Sequence, residues 1–357
     1  MQAILSVTVP FFALVLCGYL AARRRVLPEA AIPGLNAYVL FFALPCLLFR
    51  FGSSMPFAQL IDPALVGIYA ACALLMVFFT VAATLKHTEQ ATGVDMKTTA
   101  FGVDMKTTAF GVDMKNAAFG ALVAAFPNTG FMGVPLLVAL LGERAAGPVI
   151  STVLVDLILT STLCIALAQS QQHLGPAHGG RASIGGSVLR SLRVALTNPL
   201  PWAIALGAGA ASLNLQLPGP LAQIVKMLAD SASPVALFTI GAVLWRAGQH
   251  AHTRTPVRRF LPVVLFKLFV HPLLVLAVGL LAHAAGVPVP SFGLTVLVLV
   301  AALPSASSVS LLAERYGADN GRVARIVMAS TVLAFVSFSL LAWALGAGVG
   351  AGVRMTR

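Results

Sequence analysis

Four ionisable residues lie inside otherwise apolar stretches of this 357-residue chain: Asp156, Asp230, Lys267 and His271. A charge within a lipid bilayer is costly and usually serves a function, so each is a candidate for binding a charged ligand or a coupling ion. Lys267 and His271 are four residues apart and would share one face of a helix. Lys267 also follows Arg259 by eight residues, about 12 Å of helix. This depth argues against a lysine that only extends to the membrane surface.

These four residues invite different interpretations. Lys267 could neutralise an anionic substrate. His271 is interpreted either as a functional group or as a packing histidine. Asp230 stands in the sequence Asp-Ser-Ala-Ser-Pro, where we expect an irregular helix, and it could pair with Lys267. Asp156 is a secondary candidate.

Two apolar segments are interrupted by proline, glycine and small polar residues. Residues 126–135 read Phe-Pro-Asn-Thr-Gly-Phe-Met-Gly-Val-Pro, and residues 304–310 read Pro-Ser-Ala-Ser-Ser-Val-Ser. Because proline lacks a donor and clashes with the preceding turn, neither can be a regular helix. Irregular backbone in a membrane must be buried in protein or line a wet cavity, and helix N-termini there would attract an anion.

The interrupted segments therefore supply the candidate substrate site, and the alternative is a pair of proline kinks that affect only packing. The candidate substrate-binding residues are Pro127, Asn128, Thr129, Gly130, Pro304, Ser305 and Ser307.

Composition places these residues in a polytopic membrane protein. Hydrophobic residues make up 59% of the chain and charged residues only 10%, and the mean hydropathy is +0.93. These values exclude a soluble globular domain, a disordered or collagenous chain and a secreted disulfide scaffold. The net charge of +12 is explained by basic clusters between apolar segments better than by nucleic-acid binding. The four cysteines lie in apolar segments without close spacing and are interpreted as small core residues, not metal ligands or disulfides. They are Cys17, Cys46, Cys72 and Cys164.

Ten apolar segments can be drawn, and they predict an all-α protein with ten transmembrane helices. The segments are 3–22, 33–51, 63–85, 117–141, 147–168, 198–214, 219–245, 257–284, 291–313 and 322–346. The first is a retained helix, because its basic cluster follows the apolar run, whereas that of a signal peptide precedes it. An outside N-terminus puts 17 Lys and Arg residues in inward segments and 5 in outward ones. The positive-inside rule thus predicts that both termini are non-cytoplasmic. The expected location is the plasma membrane, which in a bacterium is the inner membrane.

The two halves of the chain share short motifs that are five segments apart. The matching pairs are residues 124–129 with 301–306, 151–154 with 330–333, and 43–45 with 232–234. Because five is odd, the second copy must enter the membrane inverted. Inverted repeats recur in secondary transporters, whose substrate site lies near the bilayer midplane. The predicted units are an N-terminal five-helix repeat at 1–169, an inward loop at 170–197 and a C-terminal repeat at 198–357.

Residues 93–119 contain three copies of a nine-residue unit that begins Gly-Val-Asp-Met-Lys. Each copy has one glycine, unlike calcium-binding nonapeptides, and a nine-residue step builds no common helix face. We interpret the unit as a neutral tandem duplication in an inward loop, with a partner-binding element as the alternative. Loop histidines, which could bind a metal, are interpreted as solvated: His173, His178, His250 and His252. We therefore predict no metal site and no cofactor, and leave proton or sodium coupling open.

Several motifs, in order along nearly the whole chain, resemble those of the auxin efflux carrier family. They are residues 35–45, 127–135, 233–238 and 267–272, and residues 302–304 followed by 313–317. The resemblance implies a fold similar to that of the bile-acid sodium symporters, with a scaffold domain, a transport domain and crossed, broken helices four and nine. It also implies that Asn128 contacts a substrate carboxylate and that Lys267 fills the place of a sodium ion in sodium-coupled relatives. Ser305 departs from the asparagine that some members carry there.

The function expected from these features is secondary transport of a small organic anion by elevator-type alternating access. The short loop 170–197 resembles that of bacterial members, which include malonate carriers, more than that of plant members. We predict that the protein is not an enzyme and binds no nucleic acid, and we leave a homodimer open. The alternatives are a membrane-embedded sensor that binds its ligand without transport and an intramembrane enzyme.

Overall fold

The computed structural model describes residues 1–55, 60–85, 112–170, 196–249 and 255–347, and these parts contain helices and no strands. The helices are α1 (Gln2–Arg23), α2 (Glu29–Ser54), α3 (Pro63–Thr84), α4 (Met114–Ala125), α5 (Thr129–Leu141), α6 (Glu143–Gln169), α7 (Pro199–Ser212), α8 (Gly219–Gln249), α9 (Leu261–Ala284), α10 (Ser291–Ala301), α11 (Ser308–Arg315) and α12 (Asn320–Ala344). The all-α prediction is therefore confirmed. Most of the repeated unit at 93–119, most of the loop at 170–197 and the four loop histidines lie outside the described residues.

Seven of these helices are long and apolar enough to cross a membrane, fewer than the ten predicted. The difference falls where the sequence is interrupted or short. The predicted fourth segment is divided into α4 and α5, and the ninth into α10 and α11. The helix at the predicted sixth segment, α7, has 14 residues, about 21 Å of helix.

Polar residues mark the start of several helices. Asp62 caps α3, since its carboxylate accepts hydrogen bonds from the N–H groups of Ala64 (2.9 Å) and Leu65 (3.2 Å). Asn198 caps α7 in the same way, and each cap is followed by a proline at the first helical position. Caps of this kind satisfy N–H groups that have no partner inside the helix.

The helices pack into two groups. In the first, α1 packs against α8 and α2 against α7, and α8 also contacts α2. In the second, α3 lies against α4, α6 and α9, while α10 contacts α6 and α9 and α11 packs on α12. The two groups meet mainly where α8 and α1 contact α12 and α5. We call the first group the four-helix group and the second the broken-helix group.

Glycines bring the helices of the four-helix group unusually close. A Cβ atom at Gly18 of α1 would lie 1.8 Å from the carbonyl oxygen of Phe238. A Cβ atom at Gly241 of α8 would lie 1.9 Å from the carbonyl oxygen of Val15. The backbones of α1 and α8 therefore touch, as in membrane helix pairs that associate through small residues.

Two expectations about individual residues are wrong. Helix α8 continues through Pro234 without a break, so the segment beginning at Asp230 is not irregular. Cys17 is exposed and Cys46 only partly buried, because both lie on helix faces that the other described residues leave wholly or partly uncovered. Cys72 and Cys164 are buried as predicted.

Candidate functional site

The first interruption separates α4 from α5. Helix α4 ends at Ala125, and Phe126 is extended, with φ −102° and ψ 97°. Pro127 has no N–H to continue the helix. The chain turns back into a helix at Asn128, whose carbonyl oxygen accepts the N–H groups of Met132 and Gly133, both at 3.0 Å. The first turn of α5 is thus a wide π-turn.

The second interruption, between Ala301 and Ser308, lies against the first. The N–H of Asn128 donates to the carbonyl oxygen of Pro304 at 2.8 Å, and the N–H of Ala306 donates to that of Phe126 at 3.0 Å. Pro127 and Ser305 therefore face each other as an antiparallel pair. Helices α4 and α10 end here, and α5 and α11 begin here; we call this place the crossing. Backbone groups that lose their helical partner at one interruption form hydrogen bonds with those of the other.

The side chains at the crossing are buried. Asn128 is 3% exposed, and within the described residues its amide has no hydrogen-bond partner. The Ser305 hydroxyl is buried and likewise lacks a partner in the described chain, while the Ser305 N–H donates to the Ser330 hydroxyl at 3.2 Å. Thr129, Ser307, Pro127 and Pro304 are also buried, and Gly130 is partly exposed. All seven predicted substrate-site residues therefore lie on the two interruptions, which adjoin.

Lys267 is fully buried behind this crossing. Its amino group donates a hydrogen bond to the carbonyl oxygen of Ala301 at 2.8 Å and lies 3.2 Å from Nδ1 of His271. Ala301 is the last residue of α10, so the ammonium group meets the negative end of a helix dipole. The lysine does not extend to the membrane surface.

Asp156 lies in the same buried region. Tyr69 donates to its Oδ2 at 2.9 Å and Thr160 to its Oδ1 at 3.1 Å. The rings of Tyr69 and His271 are 6.0 Å apart between centroids. Asp156 and Lys267 are near enough for their charges to interact, although among the described contacts they form no direct ion pair.

Asp230, which the sequence left free to pair with Lys267, has other partners among the described residues. The Asp230 carboxylate accepts hydrogen bonds from Arg50 at 2.8 Å and from Lys226 at 2.7 Å. Its side chain is 50% exposed, on α8 in the other helix group. The structure therefore brings Asp156, His271 and Lys267 together and leaves Asp230 apart.

Sequence analysis did not select several polar groups of this region. Tyr69 is one of only four tyrosines and interrupts an apolar run, and Thr160 stands one helical turn after Asp156, so both carried a signal. Ser330 belongs to the repeated Ser-Thr-Val-Leu motif, which by itself indicates a repeat and not a role at the site. The Ala301 carbonyl carried no signal, because only the crossing shows where α10 ends.

The described residues include seven apolar helices of membrane length, a buried polar crossing of two interrupted helices and a deeply buried lysine. These features define an integral membrane protein with an internal polar site. The sequence matches the family described as "Membrane transport protein" over residues 3–103 and 98–342. The chain belongs to this family, which is the auxin efflux carrier family that its motifs resemble.

Two relatives are similar over nearly their whole length. The chain is 26% identical to the "Putative malonate transporter" of Rhizobium meliloti (strain 1021), with 98% of each chain covered. It is 25% identical to the "Uncharacterized transporter YfdV" of Escherichia coli (strain K12), with 92% of each covered. Both relatives are named as transporters, and one name specifies malonate.

Proposed function

We propose that the protein is a secondary carrier for a small organic anion such as malonate. The observation that carries this proposal is the pairing of Pro127 with Ser305, which joins two broken helices in a buried polar crossing. Membership of a membrane transport family supports transport over catalysis, and the name of one relative suggests the substrate.

The crossing has the groups that a carboxylate requires. The Asn128 side chain is 3% exposed and forms no hydrogen bond among the described contacts, so its amide is available to donate to a ligand. Helices α5 and α11 begin at the crossing, and the first N–H groups of a helix attract anions. Lys267 places a positive charge at the end of α10. There it compensates the negative charge of the anion, as a bound cation would.

The proposal includes ten membrane crossings built from two inverted five-helix repeats, at 1–169 and 198–357. Helix packing supports this symmetry. Under this symmetry each predicted segment corresponds to the one five places away. The α1–α8 contact then corresponds to the α7–α2 contact, and the α3–α4 contact to the α9–α10 contact. All four contacts are present. The close glycine approach of α1 and α8 also has a counterpart, since a Cβ atom at Gly207 of α7 would lie 2.4 Å from the Phe49 carbonyl oxygen in α2.

The two helix groups suggest how the anion is moved. We assign the four-helix group as the scaffold and the broken-helix group, which contains the whole crossing, as the part that travels. Such an elevator motion carries the site across the bilayer without dismantling it. The orientation with both termini outside, a location in the bacterial inner membrane and a homodimer complete the proposal.

A ligand sensor or an intramembrane enzyme would have a different readout. A sensor binds its ligand in detergent without moving it into sealed vesicles, and an enzyme forms product without a gradient. Transport is favoured by the family and by a crossing placed inside one of two separable helix groups.

The test is exchange of labelled malonate in proteoliposomes by wild type, Asn128→Ala and Asn214→Gly. Asn214 is an exposed asparagine with positive φ, a backbone conformation that glycine adopts readily, so it serves as a matched control. We expect exchange by wild type and Asn214→Gly, and a loss of about tenfold or more in Asn128→Ala, as for a lost hydrogen bond to a charged group. Equal exchange by all three would contradict the site, and no exchange by wild type would contradict malonate as substrate.

A further inference from the structure

A series of buried contacts, three hydrogen-bonding contacts and one between two rings, leads from the crossing into the broken-helix group. It begins at the Ala301 carbonyl oxygen, which accepts the hydrogen bond of Lys267. The Lys267 amino group lies next to Nδ1 of His271, whose ring lies beside that of Tyr69. The Tyr69 hydroxyl donates to Asp156. This series of contacts therefore connects the backbone of the proposed substrate site to the buried carboxyl group of Asp156.

Three helices supply the side chains of this series of contacts. Tyr69 comes from α3, Asp156 from α6, and Lys267 and His271 from α9. Asp156 begins one wide π-turn and Lys267 lies in another. Such turns are rare and occur frequently at functional sites, and here each interrupts a long apolar helix where an ionisable side chain must be accommodated.

Asp156 has partners suited to a change of protonation. Both of its hydrogen-bond donors, Tyr69 and Thr160, are neutral hydroxyl groups. An isolated buried carboxylate is very costly, so such a group either has a positive charge near it or holds a proton. Lys267 supplies a charge that interacts with Asp156 without contacting it in the described structure. Asp156 can thus exist in either form, and the field of Lys267 decides between them.

Other titratable groups near Asp156 are less suited to this role. In the described part of the chain they are Tyr69 and Cys72 on α3, Cys164 on α6, and Lys267 and His271 on α9. Neither thiol is hydrogen-bonded to Lys267 among the described residues, and that of Cys72 donates to the Leu274 carbonyl oxygen. Lys267 is held by the end of α10, and His271 is in contact with that positive charge.

We infer that Asp156 binds and releases the proton that couples transport, so that each anion moves together with one proton. This inference rests on the proposed function and adds the coupling ion. When an anion occupies the crossing, the positive charge of Lys267 balances the anion instead of Asp156, and Asp156 takes a proton from a hydronium ion of the solution: an O–H bond of hydronium breaks, leaving water, and the carboxyl O–H bond forms. When the anion leaves, Lys267 again balances Asp156, the O–H bond breaks and the proton returns to water on the side of release.

The first experiment detects the proton without relying on transport. Infrared difference spectra of the purified full-length protein in nanodiscs report the carbonyl stretch of a protonated carboxylic acid as the pH is varied. We expect a band that fades as the pH rises, is missing in Asp156→Asn and persists in Asp230→Asn, the matched control on α8. No titrating band in wild type, or the same band in Asp156→Asn, would overturn the inference.

The second experiment separates coupling from transport. In proteoliposomes loaded with malonate, exchange needs no net proton movement, whereas accumulation driven by an imposed pH gradient does. Asp156→Asn should keep exchange close to the wild-type rate and lose acid-driven accumulation, while Asp230→Asn keeps both. Accumulation by Asp156→Asn equal to wild type contradicts the inference, and so does loss of exchange together with accumulation in a folded variant.

A further variant covers the case in which Asp156→Asn does not fold. Tyr69→Phe keeps the carboxyl group but removes one donor to its charged form, which should displace both the infrared titration and the accumulation profile to higher pH. Unchanged profiles would contradict the inference. A wild type with the titrating band but no malonate exchange contradicts the proposed substrate while still supporting the proton site.

Discussion

The amino group of Lys267 donates a 2.8 Å hydrogen bond to the carbonyl oxygen of Ala301, the residue at which the half-helix α10 ends. A helix that ends inside a protein leaves carbonyl groups without partners, and this lysine satisfies one of them. The same bond fixes a positive charge at Ala301, four residues before Ser305 in the sequence. Charge and broken backbone are therefore parts of one site.

Replacing Lys267 by methionine tests this relationship. The variant keeps the length of the side chain but removes the charge and leaves the Ala301 carbonyl unsatisfied, which costs about 1–3 kcal/mol. We expect malonate exchange in proteoliposomes to fall by about tenfold or more. Lys226→Met is the control, because Lys226 is exposed and bonds Asp230 in the other helix group. Equal rates in the two variants would show that Lys267 is only a packing residue.

Asn128→Asp tests whether the ligand bound at Asn128 carries a negative charge. The substitution preserves shape but replaces a donor amide by a carboxylate, which would repel an organic anion at close range. We expect binding of malonate, measured as ligand-induced thermal stabilisation, to be lost, and the melting temperature without ligand to fall, because a carboxylate replaces a neutral amide at a position that is only 3% exposed. Retained stabilisation by malonate in Asn128→Asp would contradict an anion at this position.

Sequence reasoning predicted the helices well where the signal is local. Apolar runs and their prolines placed α1 and α3 within a residue or two, and Pro127 and Pro304 marked the interruptions correctly. The pairing of Pro127 with Ser305 could not be predicted from spacing alone, since 178 residues separate the partners. The family resemblance implied a crossing, but the hydrogen bonds that form it depend on tertiary packing.

The ranking of the buried charges shows a second limit. Pro234, close to Asp230, favours an irregular helix there, in which Asp230 could pair with Lys267. A single proline is tolerated within the long helix α8, and Arg50, distant in sequence, lies beside Asp230. Asp156 was only a secondary candidate, yet helix packing buries it with Tyr69 and Thr160. Which face of a helix is covered depends on neighbours that local sequence does not reveal.

Gly241→Ala tests the close packing of the four-helix group. The added Cβ atom would lie 1.9 Å from the Val15 carbonyl oxygen, so α1 and α8 must separate. We expect the free energy of unfolding to fall by about 1–3 kcal/mol, as for overpacked cores, measured as a lower melting temperature in detergent. Gly248→Ala on the same helix is the control, because no atom lies within 4 Å of its added Cβ atom. A melting temperature that is the same in both variants would contradict the packing.

Arg322 provides the last test, at the ends of the helices in the broken-helix group. It is 2% exposed, and its guanidinium donates to the carbonyl oxygens of Arg259 at 2.9 Å and Asn116 at 3.0 Å. The Asn116 side chain in turn accepts the N–H of Asp319, whose carboxylate caps α12. One arginine thus ties the start of α12 to the starts of α4 and α9, so that these helices would move as one body.

Arg322→Lys removes this connection while keeping the charge, because a single ammonium group cannot reach both carbonyl oxygens in the fixed geometry of a guanidinium. Each lost bond to a charged group is worth about 1.5–3 kcal/mol, so we expect a clearly lower melting temperature together with slower malonate exchange. Arg315→Lys is the control, since Arg315 is exposed at the end of α11. If Arg322→Lys matched Arg315→Lys in both measurements, the arginine would not hold the helix starts together, and rigid movement of the broken-helix group would lose its main support at this end.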